Sequence, residues 1–143
     1  MFRVIYYGIE FTFKDETNEN VLNETNIVYD MSNVFHKEYI GQVNNKLDEK
    51  RCLKDRLREH ARKISINSEE KPYREGLGFS KRVRVKILKR CLTPDETRMC
   101  EHETIIARRD QIAKNRGYKL SRNQLKKDKY SFIWSDILVN TLS

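Results

Sequence analysis

Asn26-Ile27-Val28-Tyr29-Asp30-Met31 and Glu38-Tyr39-Ile40-Gly41-Gln42-Val43 are the two stretches whose reading decides the fold of this chain. Both are rich in β-branched and aromatic residues, and the polar break near Ser32-Asn33 lets them pair as a hairpin. After them the apolar period changes. Leu53, Leu57, Ala61 and Ile64 recur at spacings of four, four and three, so the segment from about Leu47 to Ile64 reads as a helix with one side against a sheet.

Upstream, Phe2 to Phe13 sets Ile5, Tyr7, Ile9, Phe11 and Phe13 at period two, the pattern of one half-buried strand, and a polar loop with Asp15, Glu16, Asn18 and Asn20 follows. Downstream, residues 65–80 contain Pro72, Gly76 and Gly78 and read as a loop. Arg82 to Leu88 then alternates Val83, Val85 and Ile87 with Arg82, Arg84 and Lys86, which predicts a strand with a basic outer face. Thr93-Pro94-Asp95-Glu96 opens a second helix, with threonine at the N-cap, proline in the first turn and glutamate placed for a capping box. That helix should run to about Lys114, before Gly117. The remaining residues, including Tyr130-Ser131-Phe132-Ile133-Trp134, carry no period that assigns them, and no internal repeat is visible.

Composition bounds the function classes. A chain of 143 residues, 38% hydrophobic and 35% charged, with seven Tyr, six Phe and one Trp, is a single folding domain with a wet surface. The net charge of +8 is unevenly placed: −4 over residues 1–50, +9 over 51–90 and +3 over 91–143. A polyanion such as DNA or RNA would be drawn to the middle segment with salt-sensitive affinity. Cys52, Cys91 and Cys100 are an odd number without a framework spacing, no stretch approaches a membrane span, and the N-terminus lacks a signal-peptide pattern. A reducing, cytoplasm-like compartment is the expectation.

Three side chains stand out chemically. Arg56 and His60 are four apart and project from one side of the predicted helix, beside the Leu53–Leu57 stripe. A guanidinium is a planar fork for phosphate oxygens, and an imidazole can donate to phosphate or move a proton near neutral pH. In the second helix Met99, Glu103, Ile106 and Ala113 fall near one line, which points Glu103 toward the core and asks for a compensating cation. Glu101, rotated by roughly 200°, should face solvent.

Taken together these residues resemble the core of the GIY-YIG nucleases. Tyr39-Ile40-Gly41 matches the second tyrosine motif, Arg56-Leu57-Arg58-Glu59-His60 looks like the helix motif, and Glu103 matches the metal-binding glutamate. Ile27-Val28-Tyr29 stands where the first motif is expected, with isoleucine in place of glycine; Tyr6 is the rival, and Gly8-Ile9-Glu10 is a decoy. Asn115 or Lys119 would occupy the late asparagine position. The long interval from Gly41 to Arg56 is similar to that of the restriction-type members.

The resemblance implies an α+β fold with a small three-stranded antiparallel sheet flanked by helices. Residues 1–25 would add an N-terminal strand, 26–119 would be the core, and 120–143 a C-terminal extension. It further implies a metal-dependent DNA endonuclease, with Mg2+ or Mn2+ on Glu103, Tyr29 or Tyr39 orienting water, and Arg56 and His60 on the phosphate. Lys46, Lys54, Arg58, Arg82, Arg84 and Lys86 are the candidate backbone contacts, and a symmetric target would call for a homodimer through Phe132 to Leu138. A noncatalytic nucleic-acid-binding or inhibitor protein is the alternative. A zinc module from Cys52, Cys91, Cys100 and His102 lacks the paired-cysteine spacing.

Overall fold

The computed structural model describes residues 1–33, 37–45, 51–66, 81–140 and 142. Among them, strands β1 (Phe2–Tyr6), β2 (Ile9–Phe13), β3 (Ile27–Ser32), β4 (Glu38–Val43) and β5 (Arg82–Arg90) form one mixed sheet, in the order β1-β2-β5-β3-β4. Helices α1 (Leu53–Ile66), α2 (Pro94–Asn115) and the short α3 (Arg122–Leu125) complete an α+β fold. Most of the loop expected over 65–80 lies outside the described residues; Ser65 and Ile66 extend α1.

The expected three-stranded antiparallel sheet is replaced by a larger one. Strands β4, β3 and β5 are mutually antiparallel neighbours, but β2 joins β5 in parallel and β1 pairs with β2. The N-terminal segment is therefore a hairpin and not one strand. Tyr7 (φ 49°) and Gly8 (φ 78°) both take the left-handed conformation that a tight two-residue turn requires. Crossing that turn shifts the alternation, so Phe2, Val4 and Tyr6 pack inward while Ile5 is 66% exposed.

Each sheet face has its own core. On one, Phe11, Phe13, Tyr29, Met31, Val43, Val83 and Val85 pack against Leu53, Leu57, Ala61 and Ile64 of α1. The apolar period of α1 explains this packing directly. On the other, Val28 and Ile40 meet Ile105, Ile106, Ile112 and Ala113 of α2, together with Leu125, Ile133, Trp134 and Leu138. Thr93 caps α2, its Oγ1 accepting from the Glu96 amide at 3.1 Å.

The C-terminal residues thus pack into the core of the same domain. Buried Arg109 holds them: it donates to the carbonyls of Leu125 (2.7 Å) and Asn140 (3.1 Å) and stacks over Trp134 at 4.6 Å. The segment then runs along the outer edge of β4 as a strap. The Glu38 amide donates to the Ile137 carbonyl (2.7 Å) and the Val139 amide to the Glu38 carbonyl (3.0 Å). The Asn140 side chain both accepts from the Ile40 amide and donates to the Ile40 carbonyl, each at 2.7 Å, as a neighbouring strand would. Within the segment expected to mediate dimerisation, Ile133, Trp134 and Leu138 pack inside their own chain, while Phe132 is 69% exposed.

Candidate functional site

Strand alternation sends Tyr29, Tyr39 and Gly41 to the α1 face, and the four-residue helical spacing brings Arg56 and His60 to meet them. The Tyr29 hydroxyl and His60 Nε2 share a hydrogen bond of 2.8 Å, and both side chains are 0% exposed. Arg56 Nη2 donates to the Tyr39 hydroxyl at 3.1 Å, and the Tyr39 ring meets His60 edge-on at 5.2 Å between centroids. Burial, reinforced by the charges of Arg56, Lys63 and Arg51, holds the His60 pKa well below the usual imidazole value, so the ring is neutral at neutral pH.

Gly41 is what lets the two tyrosines converge. It pairs with Tyr29 across the β3–β4 ladder, and a Cβ there would lie 2.5 Å from the Tyr29 hydroxyl and 2.8 Å from Tyr39 Cε1. No larger residue fits without moving both rings. A bulge in the β3–β5 pairing between Val28 and Tyr29 lies directly beside this cluster.

A cleft of about 410 Å3 opens at the β4 edge, lined by Tyr39, Gln42, Asn44, Arg51, Arg56 and Glu101. Its position follows from the strap, which occupies the Glu38 and Ile40 positions of the edge; Gln42, next along, lines the cleft. The carboxylate that α2 contributes is Glu101 and not Glu103. Glu103 points away, exposed and ion-paired with Arg122, whose hydrogen bond draws its pKa down. The expected stripe was anchored on Met99, which is 68% exposed. Ile106 and Ala113 of that stripe are buried as expected, but the buried face continues through Thr97, Ile105, Arg109 and Ile112 and not through Met99 and Glu103, and Glu101, half-buried, sits on it, one turn from both Thr97 and Ile105. Thr97, Glu101 and Arg109 make this line of the face polar, which concealed it from a hydropathy reading.

Asn115 ends α2 on the exposed surface, about 21 Å along the helix from Glu101 at 1.5 Å per residue. Lys119 is exposed as well. Neither joins the cluster. Tyr6 lies on β1, the opposite margin of the sheet from β4, with the Arg58 guanidinium 5.9 Å above its ring. The expected basic contacts divide between two surfaces: Lys54 and Arg58 are exposed on α1, whereas Arg82, Arg84 and Lys86 line the far sheet face, opposite Val83 and Val85. Lys46 lies outside the described residues.

Two neighbours of the cluster had no signal in the sequence reading. Arg51 reaches from just before α1 to Glu59, which also binds Arg56 at 3.0 Å. On the α2 face, Asp30 is pushed up to about 8 by burial and by sharing a hydrogen bond with Glu38, which in turn accepts from Arg108 at 2.6 Å. Cys52, Cys91 and Cys100 are free thiols, and among the described residues no three His, Cys, Asp or Glu side chains are grouped to cage a metal. Comparison of the chain with protein-family models, curated proteins and solved structures finds no match. No helix among the described residues is long and apolar enough to cross a membrane.

Proposed function

We propose that this chain is a metal-dependent endonuclease of the GIY-YIG kind that hydrolyses phosphodiester bonds in DNA. The observation that carries the reading is the convergence of Tyr39, Arg56 and Glu101, from three different elements, on one polar cleft, with the Tyr29–His60 pair directly behind it. The antiparallel trio β4-β3-β5, flanked by α1 and α2, supports the same reading.

Arg56 would bind the scissile phosphate and stabilise the charge that builds up in the transition state. Tyr39, whose hydroxyl already takes an Arg56 hydrogen bond, would orient the attacking water and help accept its proton. Tyr29 and His60 are too deeply buried to touch a phosphate. They act as positioning residues that fix the Tyr39 ring. The donor set of the cleft suits a hard cation, since Glu101, Gln42 and Asn44 all carry oxygen. Glu101 would hold one Mg2+ or Mn2+, which when bound polarises the scissile phosphate and stabilises the leaving oxygen.

The test is cleavage of a mixed-sequence plasmid with Mg2+, with EDTA, and by Glu101→Ala and Glu103→Ala variants. The expected result is metal-dependent cutting that Glu101→Ala lowers about a hundredfold or more and Glu103→Ala leaves intact. A folded protein that binds DNA but cuts neither DNA nor RNA in Mg2+ or Mn2+ would overturn the reading in favour of a noncatalytic nucleic-acid-binding protein. The exposed row Arg82, Arg84 and Lys86, on a strand separated from the β4 edge by β3, is the feature that favours that alternative.

A further inference from the structure

We propose that Arg51 and Arg56 form a paired phosphate receptor at the cleft, with Glu59 as the positioning residue that sets the two guanidiniums side by side for neighbouring phosphates of one strand. The proposal rests on the nuclease reading for the identity of the anion. Its geometric basis is independent of that reading.

Glu59 divides its carboxylate between the two arginines: Oε2 accepts from Arg56 Nη1 at 3.0 Å, and Oε1 accepts from Arg51 Nη2. Arg51 precedes α1 and reaches forward two turns to make this contact, so the triad is a tertiary arrangement and not a by-product of helical spacing. Arg56 is fixed on a second side by the Tyr39 hydroxyl. A guanidinium has five donors, enough to hold a carboxylate and a phosphate at once. Both arginines line the cleft that Glu101 borders.

The energetics point the same way. The Arg51 and Glu59 side chains are 36% and 43% exposed, and pairs so open to solvent add little to folding stability. Two like charges drawn to one carboxylate instead give a receptor of net charge +1 whose spacing is set before any ligand arrives. Preorganisation of this kind removes an ordering cost from binding and from the transition state.

The experiment uses the full chain and a short labelled DNA duplex. Affinity is measured across a salt series in EDTA, cleavage is measured separately in Mg2+, and circular dichroism verifies folding of each variant. Arg51→Ala should lower the slope of log affinity against log salt by about 0.9, the value of one phosphate contact, and slow cleavage by about ten- to a hundredfold. Arg51→Lys should keep the slope but not the rate, because it preserves charge without the fork. Glu59→Gln should bind more tightly, having lost an opposing charge, and yet cut more slowly, having released Arg56. Partial unfolding cannot move affinity and rate in opposite directions.

An unchanged slope in Arg51→Ala, or a Glu59→Gln variant that cuts as fast as the parent, overturns the proposal. Should the parent chain cut no nucleic acid, the nuclease reading fails by itself. The salt slope then decides the receptor alone: a drop of about 0.9 in Arg51→Ala sustains it, and no drop overturns it.

Discussion

The two faces of the sheet are held by different chemistry. Beneath α1 the core is nearly all hydrocarbon and aromatic, and its polar members, Tyr29 and His60, are bonded to each other. Beneath α2 the apolar residues depend on a buried arginine, a strap asparagine and a carboxylate pair for their arrangement. The α1 face therefore draws its stability mainly from removal of apolar surface from water, while the α2 face depends on the hydrogen bonds that Arg109, Asn140 and Glu38 make, with Arg109 Nε and Trp134 Nε1 left without a partner among the described residues.

Arg109→Ala is the most severe way to break this contrast. It strands the buried carbonyls of Leu125 and Asn140 and uncovers Trp134, and should cost about 3–5 kcal/mol in urea denaturation. Leu57→Ala on the α1 face should cost about 2–5 kcal/mol through the cavity it leaves. A loss under about 1 kcal/mol for Arg109→Ala would show that the polar clamp is dispensable.

Gly41→Ala should destabilise by about 1–3 kcal/mol through overpacking against Tyr29. In a Tyr29→Leu background, which lacks both the hydroxyl and the Cζ that a Cβ at position 41 would meet, the same change should cost less. Strict additivity of the two changes would mean that the rings are not the obstacle.

The two faces should also respond oppositely to pH. His60 is neutral in the folded state, while the unfolded chain takes up a proton near pH 6.5; its contribution is full above that pH and declines below it, by up to about 1.4 kcal/mol per pH unit. Asp30 works in reverse. Its folded pKa of about 8 stands above the unfolded value near 3.9, so its contribution is full in acid and is lost as the pH rises across that window. Urea melts should show His60→Gln removing part of the rise in stability up to about pH 6.5 and Asp30→Asn removing part of the fall between about pH 4 and 8. Exchanged or absent effects would remove the distinction. The smallest effect expected is from Glu103→Ala, whose thermal midpoint should match the parent because its ion pair is open to solvent.

How much of this was legible in the sequence follows the same division. Leu53, Leu57, Ala61 and Ile64 announce α1 because apolar burial writes itself as a period, and that period also brings Arg56 and His60 to the tyrosines. The α2 face leaves only a partial trace, in Ile106 and Ala113. Thr97 and Arg109 occupy its buried stripe, so a hydropathy reading chose Met99 and Glu103, rotated away from the side that packs. Asn140 acts on Ile40 across 100 positions, and no local pattern reports a contact of that range. The N-terminal hairpin was missed for another reason: Gly8 was the sign of a turn, but alternation ran through it with apolar residues on both sides.

That separation between Ile40 and Asn140 also has a clock attached to it. At about 5–20 residues per second, a ribosome needs roughly 5–20 s to move from one to the other. For that interval the hydrogen-bonding edge of β4 has been made and its seal has not. A strand left open for seconds is a template for pairing with another chain, so slowing synthesis between these two positions should lower the yield of soluble protein even though every residue of the finished molecule is unchanged.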